Sequence, residues 1–142
     1  PEPVVQALTR AKTAFDGFCN PVDQRTLAHF MATGHFSRHV RRMRQLYARR
    51  REAVIAACDR YLPKNCRVVG TDAGLHVTLL LPEGADDKAL ARRLAARGIA
   101  PSALSRYHLA GPARPGLVCG FANSDEATLD KAIRTVAEAL SR

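Results

Sequence analysis

The chain contains no tryptophan, and its four cysteines form no C-x-x-C pair. The cysteines also show no regular spacing with the five histidines, so neither a zinc site nor a disulfide framework is expected. No signal peptide is present, nor any apolar run of about 18 residues that could cross a membrane. We therefore predict a soluble, cytoplasmic protein with no metal site and no membrane partner.

The motifs of several common enzyme classes are also missing. The sequence has no G-x-S-x-G nucleophile motif, no H-E-x-x-H metal-binding helix and no glycine-rich phosphate loop, each of which supplies a defined catalytic geometry where it occurs. We therefore predict no catalytic residue in this chain by itself.

What the sequence has is enough apolar material for one globular domain and an excess of positive charge. A chain of 142 residues, 46% apolar, buries roughly two-thirds of its unfolded surface, so residues 1–142 are predicted to form a single domain. The net charge of +9 permits contact with nucleic acid or anionic lipid, but by itself it is weak evidence for either partner.

Much of that charge lies in the stretch "RHVRRMRQLYARRR", residues 38–51, which holds seven arginines. Most of them fall off the apolar stripe of a long amphipathic helix predicted for residues 35–62. The stretch has no helix-turn-helix spacing, no following heptad repeat and no aromatic stacking platform. We therefore interpret it as a solvated or interdomain face, and a stand-alone basic nucleic-acid-binding domain remains an alternative.

Apolar periodicity predicts an α+β fold: a small, mainly antiparallel sheet covered by helices and preceded by the long amphipathic helix. Residues 1–34 form two leading helices, and residues 63–142 follow the order β-β-α-β-β-α, with strands at 66–70, 75–82, 99–102 and 116–123. Helices are predicted at 85–98, with Asp86 as N-cap, and after Ser124. Gly34 and Gly98 are the predicted helix stops. In the first helix Val4, Val5, Leu8 and Ala11 are predicted to share one face. The residues predicted to face inward are Leu27, Phe30 and Met31 in the second helix and Leu129, Ile133, Val136, Ala137 and Leu140 in the last.

The segment 102–123 is the most interesting candidate for binding. It is rich in proline, glycine and small residues, leads into an apolar strand and carries Arg106 and Arg114. Loops at strand ends commonly hold binding residues, and the planar guanidinium pairs well with a carboxylate. From spacing alone, an exposed surface residue is the favoured interpretation of each arginine.

Taken together, four segments resemble the C-terminal part of MocR-type regulators of the GntR superfamily. They are "DQRTLAHFMATGHFSRHVRRMRQLYARRREAV", "GLHVTLLLP", "GIAPSALSRYHL" and "PGLVCGFAN". Those proteins fuse a winged-helix DNA-binding domain to a fold-type-I, pyridoxal-phosphate-dependent aminotransferase-like domain. The resemblance implies that this chain is a fragment, the small domain of that fold.

The resemblance also implies which parts lie elsewhere. The cofactor lysine, its neighbouring aspartate and the winged helix would all precede Pro1, and Lys12 would not be the cofactor lysine. The intact protein would use pyridoxal 5'-phosphate, with none bound tightly by this chain. The partners implied are the large domain of the same chain, a second copy in a homodimer, DNA through the winged helix, and a small amino-compound effector.

For the binding residues, the resemblance points to three positions. Ordinary aminotransferases carry a carboxylate-binding arginine in a pattern like "RLSFA", and the matching position in "VCGFA" is Val118. Arg114 instead resembles the arginine of "RPxLxxGFA" in the γ-aminobutyrate-responsive branch, with Arg106 as the next candidate. His76, in "AGLH", would lie at the pocket edge or be a plain exposed strand residue. The implied function is effector sensing, and the small domain of a genuine aminotransferase is the alternative.

Overall fold

The computed structural model describes residues 2–17, 20–110 and 113–141. Phe18 and Cys19 lie outside these residues, as do Gly111 and Pro112 of the candidate binding segment 102–123. The chain forms two compact units, Pro1–Met43 and Arg44–Arg142. The prediction of one domain over 1–142 stays a prediction. No described helix is both long enough and apolar enough to cross a membrane.

The first unit is helical. It contains α1 (Glu2–Asp16), α2 (Pro21–Ala32) and the start of α3 (His35–Tyr61). Asn20 caps α2, because its side-chain oxygen accepts a hydrogen bond of 3.0 Å from the backbone N–H of Val22, and a proline follows at the first helical position. The predicted stop at Gly34 is confirmed, since this residue has a φ of 77°, which favours glycine.

The prediction that Leu27, Phe30 and Met31 of α2 face inward is wrong, and the apolar face predicted for α1 is likewise exposed in the described residues. None of them is buried, and the side chains of Leu8 and Met31 are 63% and 51% exposed. The 3.6-residue period marks an apolar stripe, which a helix normally packs against another element. No described element of this unit buries that stripe. The exposed residues are Val4, Val5, Leu8, Ala11, Leu27, Phe30 and Met31.

The second unit is α+β, as predicted. Its four-stranded antiparallel sheet has the order β1-β2-β4-β3. The strands are β1 (Arg67–Val69), β2 (His76–Leu80), β3 (Ser102–Ala103) and β4 (Gly116–Gly120), and a 3-10 turn at Leu104–Tyr107 follows β3. The strand predicted at 99–102 is therefore shifted, because its position is set by pairing of Ser102 and Ala103 with β4 rather than by local composition.

Two further helices, α4 (Asp87–Ala95) and α5 (Glu126–Leu140), complete the predicted β-β-α-β-β-α order. The Asp86 cap is confirmed: its carboxylate accepts a hydrogen bond of 2.9 Å from the N–H of Ala89. Gly98, with a φ of 78°, ends the following turn as predicted. In α5 the buried alanine is Ala139, whereas the predicted Ala137 is only half-buried. The buried face of this helix is centred on the side of Val136 and Ala139, and Ala137 lies at its margin.

The core lies on one face of the sheet. The buried apolar residues of α3, α4 and α5 form a single cluster with the inward-facing residues of β2 and β4, which alternate along each strand. The described parts of these helices contribute no buried apolar residue to the opposite face, where Leu80, at the end of β2, is the buried side chain of the described β2 and β4 residues. We call that side the open face. The core residues are Val54, Ala57, Cys58, Val77, Leu79, Leu81, Leu90, Leu94, Leu117, Phe121, Leu129, Ile133, Val136 and Ala139.

Candidate functional site

The open face has an uncharged centre. The register places Val118 between Thr78 on one side and Ser102 on the other, and all three residues are half-buried. Val118 is the position that the predicted resemblance aligns with the arginine of the "RLSFA" pattern. The middle of this face therefore offers methyl groups and hydroxyls to a ligand, but no cation at Val118.

His76 lies at one end of the open face. It is the first residue of β2, it is exposed, and it pairs with Gly120 of β4. A Cβ atom at position 120 would stand 3.3 Å from Cδ2 and 3.4 Å from Nε2 of His76. The imidazole therefore rests over a strand position that has no side chain.

Arg114 lies at the opposite end of β2. The strand finishes where Leu80 pairs with Gly116, and the N–H of Leu81 donates a hydrogen bond of 3.1 Å to the carbonyl of Pro115. Four residues along a strand span about 13 Å. The structure thus separates His76 from Arg114 by the length of β2 and does not bring them into one cluster.

Arg106 and Arg114 belong to the same connecting segment, and both are exposed. His108 links its two sides: Nε2 accepts a long hydrogen bond of 3.4 Å from the backbone N–H of Arg114, and Nδ1 lies 3.4 Å from the carbonyl of Leu104. Because Nε2 accepts, the proton of a neutral ring is on Nδ1, which donates to Leu104. Because Arg106 and Arg114 are both exposed, the segment offers two guanidinium groups to a ligand.

Asp87 anchors both ends of this segment. Its side chain is 3% exposed, and Oδ2 accepts hydrogen bonds from the backbone N–H groups of Ser105, at 2.9 Å, and Gly116, at 3.0 Å. Oδ1 accepts a third bond, of 2.6 Å, from the hydroxyl of Ser105. Sequence reasoning missed this residue. The available signal was a second acid at the start of α4, where Asp86 alone satisfies the cap.

Three arginines of the basic stretch hold α3 to the rest of the second unit. Arg50 donates to the carbonyl of Ala122, just beyond β4, and Arg51 donates to the carbonyl of Asp72 at 3.2 Å. Arg49 pairs with Glu126 at 3.6 Å. These contacts favour a scaffold role over nucleic-acid contact for this part of the stretch.

We expect Arg50→Ala to lower the free energy of unfolding by about 1.5 kcal/mol, because a half-buried hydrogen bond from a charged donor is lost. Urea unfolding of the chain measures this change. Arg44→Ala, at an exposed position of the same helix, is the matched control and should change stability by less than about 0.5 kcal/mol. Equal losses in the two variants would contradict a specific tie at Arg50.

The described residues do not fit pyridoxal phosphate. That cofactor requires a lysine amine placed beside groups that hold its ring and phosphate. All four lysines are exposed on helices or on the turn after α3: Lys12, Lys64, Lys88 and Lys131. Lys12 pairs with Asp16 within α1 at 2.7 Å, and none of the four is on a strand of the sheet.

The thiols next to the core are not suited to nucleophilic chemistry. Burial, with smaller contributions from Cys119 and Asp59, raises the pKa of Cys58 to about 12. Burial also raises the pKa of Cys119 to about 12. Both therefore stay protonated at neutral pH, and only the thiolate is a good nucleophile.

The chain is similar to bacterial transcription regulators. It is 33% identical over 116 residues to the probable rhizopine catabolism regulatory protein MocR of Rhizobium meliloti, which covers 82% of this chain. It is 30% identical over 141 residues to the pyridoxine biosynthesis regulator PdxR of Corynebacterium glutamicum, covering 99% of this chain. The chain spans only 24% and 30% of the lengths of these two relatives. No protein-family model matches it.

Among solved structures, the chain is similar to aminotransferases. The α-aminoadipate aminotransferase LysN of Thermus thermophilus, in complex with N-(5'-phosphopyridoxyl)-L-leucine, matches with a TM-score of 0.84 and 25% identity, over 98% of this chain and 36% of that one. A multiple-substrate aminotransferase of Thermococcus profundus shares the fold, with a TM-score of 0.84 and 24% identity over 92% of this chain and 32% of that one.

The predicted resemblance and fold class are thereby confirmed. By sequence and by fold, the chain belongs to the aminotransferase-like family that the MocR-type regulators of the GntR superfamily share with fold-type-I aminotransferases.

Proposed function

We propose that this chain is the small-domain fragment of an effector-sensing, aminotransferase-like region in a cytoplasmic bacterial transcription regulator. In the intact protein it closes over an amino-compound effector, and Arg114 binds the carboxylate of that effector. The large domain of the same chain holds pyridoxal 5'-phosphate, and a separate winged-helix domain binds DNA.

The observation that carries this proposal is the uncharged centre of the open face. An amino-acid carboxylate needs a cation to compensate for its lost hydration, and Val118 supplies none. The exposed guanidinium of Arg114 lies at the end of the same strand, on a segment that Asp87 anchors at Gly116. Arg106, on the same segment, is the second candidate.

The exposed apolar residues of α1 and α2 favour the presence of another domain that covers these helices. Leu8, Phe15 and Met31 are 63%, 91% and 51% exposed, and so many exposed large apolar side chains on two helices favour an interaction surface. We assign the cover to the large domain of the parent chain, which in turn forms a homodimer.

Sensing follows from differential binding. An effector that contacts both the large domain and Arg114 stabilises the closed arrangement more than the open one, and it shifts the population accordingly. The winged-helix domains read that shift only if they bind DNA differently in the two states, which is the condition for allosteric coupling.

The test uses the full-length gene product loaded with pyridoxal phosphate, whose absorption reports amine binding. Probes are paired: γ-aminobutyrate with propylamine, and alanine with ethylamine, so that each pair differs by a carboxylate. Arg114→Gln should weaken binding of a carboxylated probe about tenfold, the value of one charge-assisted hydrogen bond. It should leave the plain amines unchanged.

Arg134→Gln is the control, because it removes the same charge from an exposed position of α5. It should leave the affinity for both kinds of probe unchanged. If Arg114→Gln weakened the binding of propylamine as much as the binding of γ-aminobutyrate, the assignment of Arg114 to the carboxylate would be wrong. His76→Gln tests the third predicted position in the same assay.

A genuine aminotransferase is the second candidate, because the relatives include 2-aminoadipate transaminase of Thermus thermophilus, 26% identical over 96% of this chain. Repeated turnover of an amino acid with 2-oxoglutarate, in a gene product without a winged helix, would replace the regulator proposal with this one.

A further inference from the structure

A groove of about 640 Å³ lies between α4 and the β3–3-10 segment. Its lining is small and apolar along the middle, with Ala91 and Ala95 of α4 facing Pro101. Ala100 and Ala103 also line it, together with three cations: Lys88, Arg92 and Arg106. The groove is open to solvent, and Val118 and Arg114 are not among its lining residues.

The described side chains that line this groove include three cations and no acid. A neighbouring carboxylate, that of Asp87, is buried beside Lys88 and bonded to Ser105. Residues 88–124 contain six basic residues and no acidic one. Two of the six are used by α5: Arg93 donates to the carbonyl of Ala139 at 2.6 Å, and Arg97 lies 3.9 Å from Glu138. Three of the remaining four are the cations of the groove.

The fold holds these cations close together. Lys88 and Arg92 are one turn apart on α4, which places their side chains on the same helix face. Lys88 follows Asp87 directly, and Arg106 follows Ser105, the residue that Asp87 binds through two hydrogen bonds. One buried carboxylate therefore fixes the backbone beside two of the three cations.

We infer that this groove binds an acidic protein segment rich in small residues. Clustered like charges repel one another, and carboxylates from a partner relieve that repulsion. The alanine and proline lining lets a partner's backbone approach closely. None of the described residues that line the groove is aromatic, so none can stack on a base, as single-stranded nucleic acid prefers. This partner surface shares Arg106, the second candidate for the effector's carboxylate, but it includes neither Arg114 nor Val118.

The experiment measures binding of two fluorescent twelve-residue peptides to the full-length gene product by anisotropy. One alternates Glu and Ala, and the other alternates Gln and Ala. We expect the Glu peptide to bind and the Gln peptide not to bind. The double variant Lys88→Gln with Arg92→Gln should bind the Glu peptide about fivefold more weakly, because it loses two exposed ion pairs of modest strength.

Lys131→Gln with Arg134→Gln is the matched control, because it removes the same two charges from exposed positions on α5. Its affinity for the Glu peptide should equal that of the unmodified protein. Equal weakening in both double variants would show attraction to net charge alone and overturn the inference.

A DNA duplex serves as the competing polyanion. If the groove variant lost DNA affinity in parallel with peptide affinity while the control did not, the groove would be a nucleic-acid contact and the inference would be wrong. The absorption response to amino acids should stay unchanged in the groove variant, which separates this outcome from failure of the effector proposal.

Discussion

Replacing Asp87 with alanine should lower the free energy of unfolding by about 3 to 4 kcal/mol. The carboxylate is almost fully buried and receives hydrogen bonds from the Ser105 N–H, the Ser105 hydroxyl and the Gly116 N–H. Alanine leaves these donors without an acceptor in an interior where each unmade bond costs about 1 to 3 kcal/mol. Urea unfolding measures the loss.

The neighbouring Asp86→Ala is the control, since it removes only the cap on Ala89 and should cost about 1 kcal/mol.

Asp87→Asn tests the charge itself. Burial alone would raise the pKa of Asp87, but the hydrogen bonds from Ser105 and Gly116, together with Lys88, hold it below its ordinary value. The charge therefore stabilises the fold at pH values above the ordinary pKa of aspartate. This contribution is lost as the pH falls through the lowered pKa of Asp87. A difference between wild type and Asp87→Asn that did not shrink on acidification would contradict this role.

Gly116→Ala is the second large effect, with an expected cost of about 2 to 3 kcal/mol. A Cβ atom at this position would lie 2.9 Å from the carbonyl oxygen of Leu79 and 2.9 Å from Cδ2 of Leu104. The Leu104 side chain can move, but the Leu79 carbonyl belongs to the backbone of β2. Relief therefore requires β2 and β4 to separate locally, and thermal unfolding should show the loss.

Gly120→Ala, on the same strand, separates this clash from the general effect of replacing glycine. Its nearest neighbour is the His76 ring at 3.3 Å, which can rotate away, so the cost should stay below about 1 kcal/mol. Similar losses at both positions would show that strand entropy, rather than contact with Leu79, governs the response.

The sequence predicted the elements of the second unit well because their signals are local. A capping aspartate before α4 and the two-residue alternation of β2 and β4 each reside within a few neighbouring positions. The position of β3 was missed because a two-residue strand is defined by its partner, at Leu117 and Val118. The leading helices were predicted as elements, but periodicity shows only that a face is apolar, and it gives no information about what covers it.

The candidate site was less predictable. Arg106, Arg114 and His76 were singled out by residue type and resemblance, and their roles remain predictions. The contacts that position the site join residues far apart in sequence, such as Arg50 with Ala122 and Asp87 with Gly116. A side chain that binds a distant backbone group leaves no pattern in composition or spacing.

The lengths of the outer strands have a consequence for how the protein behaves at high concentration. β1 and β3 border the sheet with three and two residues, whereas the inner strands have five. A border this short exposes few free backbone donors and acceptors, and such brevity is one way in which natural proteins discourage strand addition by a neighbour. The short border strands therefore offer little template for the addition of a further strand, although one face of the sheet is not covered by the described helices.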